Sequence, residues 1–327
     1  MSSSTSSPAP GGVPLSRLVF GGNVLGWTVD QATSFALLDR LVDAGLTTID
    51  SADMYSAWAP GHQGGESEAT LGAWLRARGP GMRQRVQLMT KVGKSAPVNP
   101  PPGQGLSPAY IERAIDASLK RLGTDHVDVY FSHAFDAQVP QADTLGAYQR
   151  LLRAGKLRAI GASNFSAPQL RAALDTAAAH GLPAYQVLQP HYNLIDRGGY
   201  DGPLRELAMQ QGLAVVPYFS LASGFLTGKY RSAADLAGSA RGGWVKNYLN
   251  PRGLRILAAL DEVAAQHRAQ PGEVALAWLM ARPGVTAPIA SATSVAQLES
   301  LIRATQLGLS AADIAALDAA SAPDPQA

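Results

Sequence analysis

The chain contains no cysteine among its 327 residues. Disulfides, thiolate nucleophiles and thiolate metal sites are therefore excluded, and a reducing cytoplasm is the default location. Net charge is also scarce: 27 Lys and Arg stand against 25 Asp and Glu, with no block of five or six like charges. That balance argues against nucleic acid or an anionic membrane as the main partner. No apolar run approaches the roughly eighteen residues of a membrane span. Residues 1–12, mostly Ser, Pro and Gly, have neither basic region nor apolar stretch, and they read as a disordered tail rather than a signal peptide.

What is present is a repeating unit. A short apolar run ends in a polar residue, a loop follows, then an amphipathic stretch, then a glycine. Leu37, Leu38, Leu41 and Val42 sit at helical spacing before Gly45, and Ile111, Ile115, Leu119 and Leu122 do so before Gly123. Ser107 followed by Pro108, Ser166, and Ser310 with Asp313 are the expected helix starts. Strands are expected at 18–20, 46–50, 86–90, 127–132, 157–161, 185–189, 213–217 and 285–290. Eight alternating strand–helix units predict a single (β/α)8 barrel over residues 13–321, with a short tail at 322–327. One connection is long, from Tyr218 to about Asn250, before helices near 252–268 and 271–282. Connections of that length are usually functional.

Catalysis in such a barrel sits at the C-terminal ends of the strands. Those positions hold Gly21-Gly22-Asn23, Asp50 with Tyr55, Lys91, His133, Ser163-Asn164, Gln189, Tyr218 and Ser291 to Ser294. A tyrosine is a poor acid–base at neutral pH unless a nearby ammonium favours its charged form, which Lys91, held by Asp50, is expected to do. His133 is placed to orient a carbonyl oxygen. The group suits proton transfer to a carbonyl oxygen as a hydride reaches the carbon. The remaining histidines match no metal spacing, and no metal site is expected. His126, His180 and His267 read as structural or solvated, and His62 and His191 as loop residues. Trp58, Phe135, Phe225, Trp244 and Tyr248 are candidates for a substrate pocket.

Several ordered motifs carry a family resemblance. They are Gly45-Leu-Thr-Thr-Ile-Asp-Ser-Ala-Asp-Met-Tyr55, Gly65-Glu-Ser-Glu68 with Leu71-Gly72, Thr90-Lys91-Val92, and Leu122 to Asp128 leading to His133. Gly161-Ala-Ser-Asn-Phe165, Gln189-Pro-His-Tyr-Asn-Leu194 and Leu226-Thr-Gly-Lys-Tyr230 continue the set. Over roughly residues 15–320 the chain resembles the aldo-keto reductases, closest to a bacterial branch and also similar to potassium-channel β-subunits. The resemblance implies a tetrad of Asp50, Tyr55, Lys91 and His133, with Tyr55 as general acid–base. It also implies an NADP(H) cofactor and a small carbonyl substrate. Ser163, Asn164 and Gln189 would bind the nicotinamide carboxamide, with the Tyr218 ring on its face. Gly22, Asn23, Leu221 and Lys229 join the expected cofactor set.

Two departures stand out. The branch's Tyr-Ser-Pro-Leu reads Tyr218-Phe219-Ser220-Leu221, so Phe219 replaces a serine whose place Ser220 or Ser223 would take. After the eighth strand, where relatives carry a basic residue, stand Ser291, Thr293 and Ser294, then Gln297. NADP(H) is the expected cofactor and NAD a possible one. A cofactor-binding sensor subunit and a barrel aldolase using Lys91 as a Schiff base are the rival readings.

Overall fold

A computed structural model describes residues 12–94, 105–237 and 242–323; most of both expected tails lies outside them. The strands are β1 (Val19–Gly21), β2 (Thr48–Asp50), β3 (Gln87–Val92), β4 (Val127–Ser132), β5 (Leu157–Ser163), β6 (Val187–Gln189), β7 (Ala214–Val215) and β8 (Ile289–Ala290). All pairings are parallel, in the order β7-β6-β5-β4-β3-β2-β1-β8. The remaining gap closes through backbone bonds from Thr286 N–H to Val215 O (2.8 Å) and Ile289 N–H to Pro217 O (2.9 Å). The sheet is thereby a (β/α)8 barrel.

The last two strands are shorter than expected. Pro217 and Pro288 have no N–H to donate at this seam, so the regular ladder cannot run through them.

The helices α1 (Gln31–Asp43), α2 (Glu66–Arg78), α3 (Pro80–Arg83), α4 (Pro108–Leu122), α5 (Gln141–Arg153), α6 (Ala167–His180) and α7 (Pro203–Gln210) lie between strands. After β7 come the short α8 (Gly242–Val245), then α9 (Pro251–His267) and α10 (Pro271–Ala281). After β8 come α11 (Val295–Ala304) and the additional α12 (Ala311–Ser321). Ser166 and Ser310 form capping boxes with Gln169 and Asp313. Ser107 differs from expectation: it occupies the position before Pro108, but its side chain makes no capping bond. Gly123 ends α4 with φ of 66°, a conformation that favours a residue without a Cβ. His126 bonds Asp125 and His267 bonds Asp313, in keeping with structural roles.

Two buried clusters follow from strand alternation. Val19, Met89, Val129, Phe131, Ala159, Val187, Ala214 and Ile289 fill the barrel interior. Their neighbours Phe20, Leu88, Tyr130, Ile160 and Leu188 point outward to the helices. Side chains two apart share a face, and this parity decides what the site contains. Lys91 follows Met89, His133 follows Phe131, Ser163 follows Gly161, and Gln189 follows Val187. All four continue the inward rows at their C-terminal ends. Gly161 leaves room for the Phe131 ring, which a Cβ there would strike, so the floor beneath the polar layer is filled by side chains.

Candidate active site

Above that floor lies one cavity of about 410 Å³, lined from nearly every strand end. Asp50, Tyr55, His133, Ser163, Asn164, Gln189, Tyr218 and Ser291 all reach it. Lys91 is wholly buried just behind it. Its ammonium donates to Asp50 Oδ2 (2.6 Å), to Ser51 O (2.7 Å) and to Tyr55 Oη (2.7 Å). Three N–H groups meet three oxygens, so the charged form of Lys91 is saturated. Tyr55 Oη in turn donates to Asp50 Oδ2 at 3.0 Å. The other Asp50 oxygen accepts from Gln189 Nε2 at 3.0 Å.

The electrostatics depart from the reading of Tyr55 as a phenol acidified by Lys91. Burial, then the Asp50 carboxylate, pushes the Tyr55 pKa well above its ordinary value. Asp50 shares the same lysine and hydrogen-bonds the neutral phenol, so its charge offsets that of the ammonium. The resting group is therefore a phenol with a proton to give. Burial also lowers the Lys91 pKa, against the pull of Asp50. His133 is held well below its ordinary value by burial, then by the Lys91 and Lys94 charges, and is a neutral imidazole at neutral pH. Its ring centroid lies 6.3 Å from that of Tyr55. Asp53, buried beside this group, is pushed well above the carboxylate range by burial and by Glu68.

A second network runs through the expected nicotinamide residues. Asn164 Nδ2 donates to His133 O (2.8 Å) and Ser163 Oγ (3.1 Å), while its Oδ1 accepts from Tyr218 Oη (2.6 Å). Ser163 Oγ donates to Gln189 O at 2.9 Å. Tyr218 stacks on His191 at 5.3 Å, with Phe219 edge-on to both. His191 is thereby engaged as a ring partner and faces Asp196 at 3.2 Å. Ser291 Oγ donates to Asn23 Oδ1 at 2.7 Å, tying β8 to the turn after β1.

Of the expected cofactor set, Asn23, Phe219, Ser220, Leu221, Ser223 and Lys229 line the cavity beside those already named. Gly22, Thr293, Ser294 and Gln297 do not. Gly22 packs on the Asp50 carbonyl and Ser67, with no room there for a Cβ. Ser294 caps α11, while the Thr293 N–H and hydroxyl both bond Gln297 Oε1 (2.9 and 3.1 Å). Arg303, the nearest downstream base, is committed to Glu273 at 2.7 Å.

Among the candidate substrate aromatics, Trp58 and Trp244 line the cavity. Phe135, Phe225 and Tyr248 do not, which corrects the sequence reading. Phe135 packs edge-on to Phe165, Phe225 is fully buried against Tyr248, and the Tyr248 hydroxyl bonds Asp196. Each of these rings fills a gap under a loop instead. Among the lining residues that the sequence did not single out are Trp27, Met54, Lys94 and Thr227. Trp27 follows the turn after β1 and meets Trp58 edge-on at 5.4 Å, so an aromatic in that loop was a usable signal. Lys94 carried none.

Backbone strain marks the same region. Ser56, Asn164, Phe219, Ala222 and Ser223 hold positive φ without being glycine, and all line the cavity or adjoin residues that do. Such strain collects at functional sites.

Comparison with known proteins places this barrel in a family. A model of the Aldo/keto reductase family matches residues 17–322. The "Uncharacterized oxidoreductase YrpG" of Bacillus subtilis is 32% identical, with 91% of this chain and 90% of that protein covered. The "Aldo-keto reductase yakc [NADP(+)]" of Schizosaccharomyces pombe is 32% identical over 85% and 79%. The "L-glyceraldehyde 3-phosphate reductase" of Escherichia coli is 29% identical over 86% and 82%. The chain belongs to the aldo/keto reductase family. No helix among the described residues is long and apolar enough to cross a membrane.

Proposed function

We propose that this protein reduces aldehydes or ketones to alcohols, reversibly, with NADP(H) as cofactor and Tyr55 as proton donor. The observation that carries the reading is the hydrogen-bonded set on the cavity wall, in which one saturated lysine joins Asp50 to the Tyr55 hydroxyl. The residues suit a nicotinamide: amides and hydroxyls from Ser163, Asn164 and Gln189 for its carboxamide, the Tyr218 ring for its face, and Lys229 beside Gly224 for a phosphate. A nicotinamide bound there supplies the hydride. As the carbonyl carbon gains that hydride, the C=O π pair moves to oxygen, which takes the proton from Tyr55 Oη. Lys91 then stabilises the phenolate left behind, and neutral His133 donates a hydrogen bond to the oxygen during transfer.

A Schiff-base role for Lys91 is disfavoured by the same geometry. Its nitrogen is fully buried and gives all its N–H groups to oxygen, leaving no lone pair for attack on a carbonyl. Following NADPH absorbance with small aldehydes tests the reading. Turnover that depends on both enzyme and aldehyde supports it; tight NADPH binding without turnover would point instead to a cofactor-binding sensor subunit.

A further inference from the structure

The cavity holds one charged group that this chemistry leaves idle. Lys94 lies two residues beyond β3, is partly buried, and lines the cavity with Trp27, Met54 and Trp58. Among the described residues its ammonium has no acidic partner and no hydrogen bond. The sequence that follows supplies none: residues 95–104 contain no Asp or Glu. Burial lowers the Lys94 pKa, with no carboxylate to raise it again. Several other buried or partly buried cations have acidic partners. Lys91 is paired with Asp50, Arg83 with Asp128, Arg121 with Glu68 and Arg282 with Asp318.

A partly desolvated ammonium without a counter-ion is unfavourable, and an anion that reaches it relieves that cost. Its position says which part of a ligand would do so. Lys94 bears electrostatically on Lys91 and His133, so it stands near the reacting end of the cavity. Lys229, the other lysine on the lining, belongs instead to the segment after β7, beside Gly224. The cavity that Lys94 lines also has apolar surface: Trp58 meets Tyr55 edge-on at 5.9 Å and Trp27 at 5.4 Å.

We infer that the physiological substrate is a carbonyl compound with an apolar or aromatic body and a carboxylate, and that Lys94 binds the carboxylate while the carbonyl lies between Tyr55 and His133. One ammonium balances one negative charge, which favours a carboxylate over a phosphate dianion. The inference rests on the reductase reading for its carbonyl, but not for its anion site.

The test compares 4-carboxybenzaldehyde with uncharged 4-methylbenzaldehyde under saturating NADPH, in wild type, Lys94→Met and Lys94→Arg. Wild type should favour the carboxylate. In Lys94→Met the ratio of the two kcat/KM values should fall about tenfold to a hundredfold, the range for a charged hydrogen bond, mainly through KM. Lys94→Arg should retain most of the preference. Calorimetric titration with benzoate, which cannot be reduced, gives a readout free of turnover: its Kd should rise about tenfold or more in Lys94→Met. An unchanged ratio and an unchanged benzoate Kd would overturn the inference. A Lys94-dependent preference for 4-formylphenyl phosphate over the carboxylate would overturn the choice of anion. Absent turnover with every aldehyde, alongside Lys94-dependent benzoate binding, would overturn the reductase reading and leave the anion site standing.

Discussion

Lys91 shows how much of the site rests on one side chain. Its three donated bonds hold Asp50, the Ser51 carbonyl and Tyr55 in one geometry. Lys91→Met removes all three and leaves the Asp50 carboxylate, only 1% exposed, without its cation. Stability should drop by about 3–5 kcal/mol, the range for breaking a buried pair, and turnover should be nearly abolished. Thermal unfolding and NADPH consumption check both; a variant as stable and active as wild type would make the lysine dispensable. His133 makes a second test, through pH. Its folded pKa lies below its unfolded value, so the unfolded chain takes up a proton that the native state refuses. The stability at stake is present above about pH 6.5 and is lost as pH falls below it, by up to about 1.4 kcal/mol per pH unit. In His133→Asn the fall in Tm between about pH 7 and 5 should be smaller than in wild type. An equal slope would show that His133 titrates normally. The grouping of Asp50, Tyr55, Lys91 and His133 was readable because each stands at or just beyond a strand end and inside a motif. The direction of the Tyr55 shift was not readable, because it depends on burial and on where the Asp50 oxygens point.

At the level of the elements, periodicity and capping carried most of the boundaries. The helix at 108–122 follows directly from apolar spacing bounded by Pro108 and Gly123, and those at 251–267 and 271–281 begin at Pro251 and Pro271. The short β7 and β8 were harder, since apolar residues continue past the point where proline breaks the ladder. Close packing between helices was invisible as well. Gly72 in α2 lies so near the last turn of α4 that a Cβ there would overlap the Arg121 carbonyl oxygen. This contact holds Glu68 where it receives Arg121 Nε (2.7 Å) and Thr90 Oγ1 (2.5 Å), one residue from Lys91. Gly72→Ala should therefore force α2 and α4 apart and destabilise the protein by about 1–3 kcal/mol, lowering Tm by several degrees. Turnover should fall with it, since the strand carrying Lys91 is braced by the same contact. Calorimetry showing an unchanged Tm would contradict the packing argument.

For the molecule as a whole, the barrel, its C-terminal mouth and the converging strand ends were readable from eight repeated units. The far end of the cofactor site was not, because recognition there depends on which donors are already engaged. The Thr293 N–H and hydroxyl are taken up by Gln297 Oε1, whereas Ser294 Oγ accepts the α11 capping bond from Gln297 N–H and keeps its O–H to donate. Arg303 is held by Glu273. No acidic residue occurs between Ala290 and Gln297 to select the ribose hydroxyls of NAD either. A preference for NADPH over NADH is expected, held by the Ser294 hydroxyl and the N-terminus of α11 rather than by a salt bridge, and so narrower than a basic residue would give. The ratio of kcat/KM values decides this, and a clear NADH preference would refute it. The central claim, that the Tyr55 proton completes carbonyl reduction, has a more direct test. Tyr55→Phe keeps the ring and its packing while removing only the hydroxyl. NADPH-dependent aldehyde turnover should fall about 10²–10⁴-fold, with NADPH binding, followed by nicotinamide fluorescence, close to wild type. Wild-type turnover in Tyr55→Phe would contradict the account.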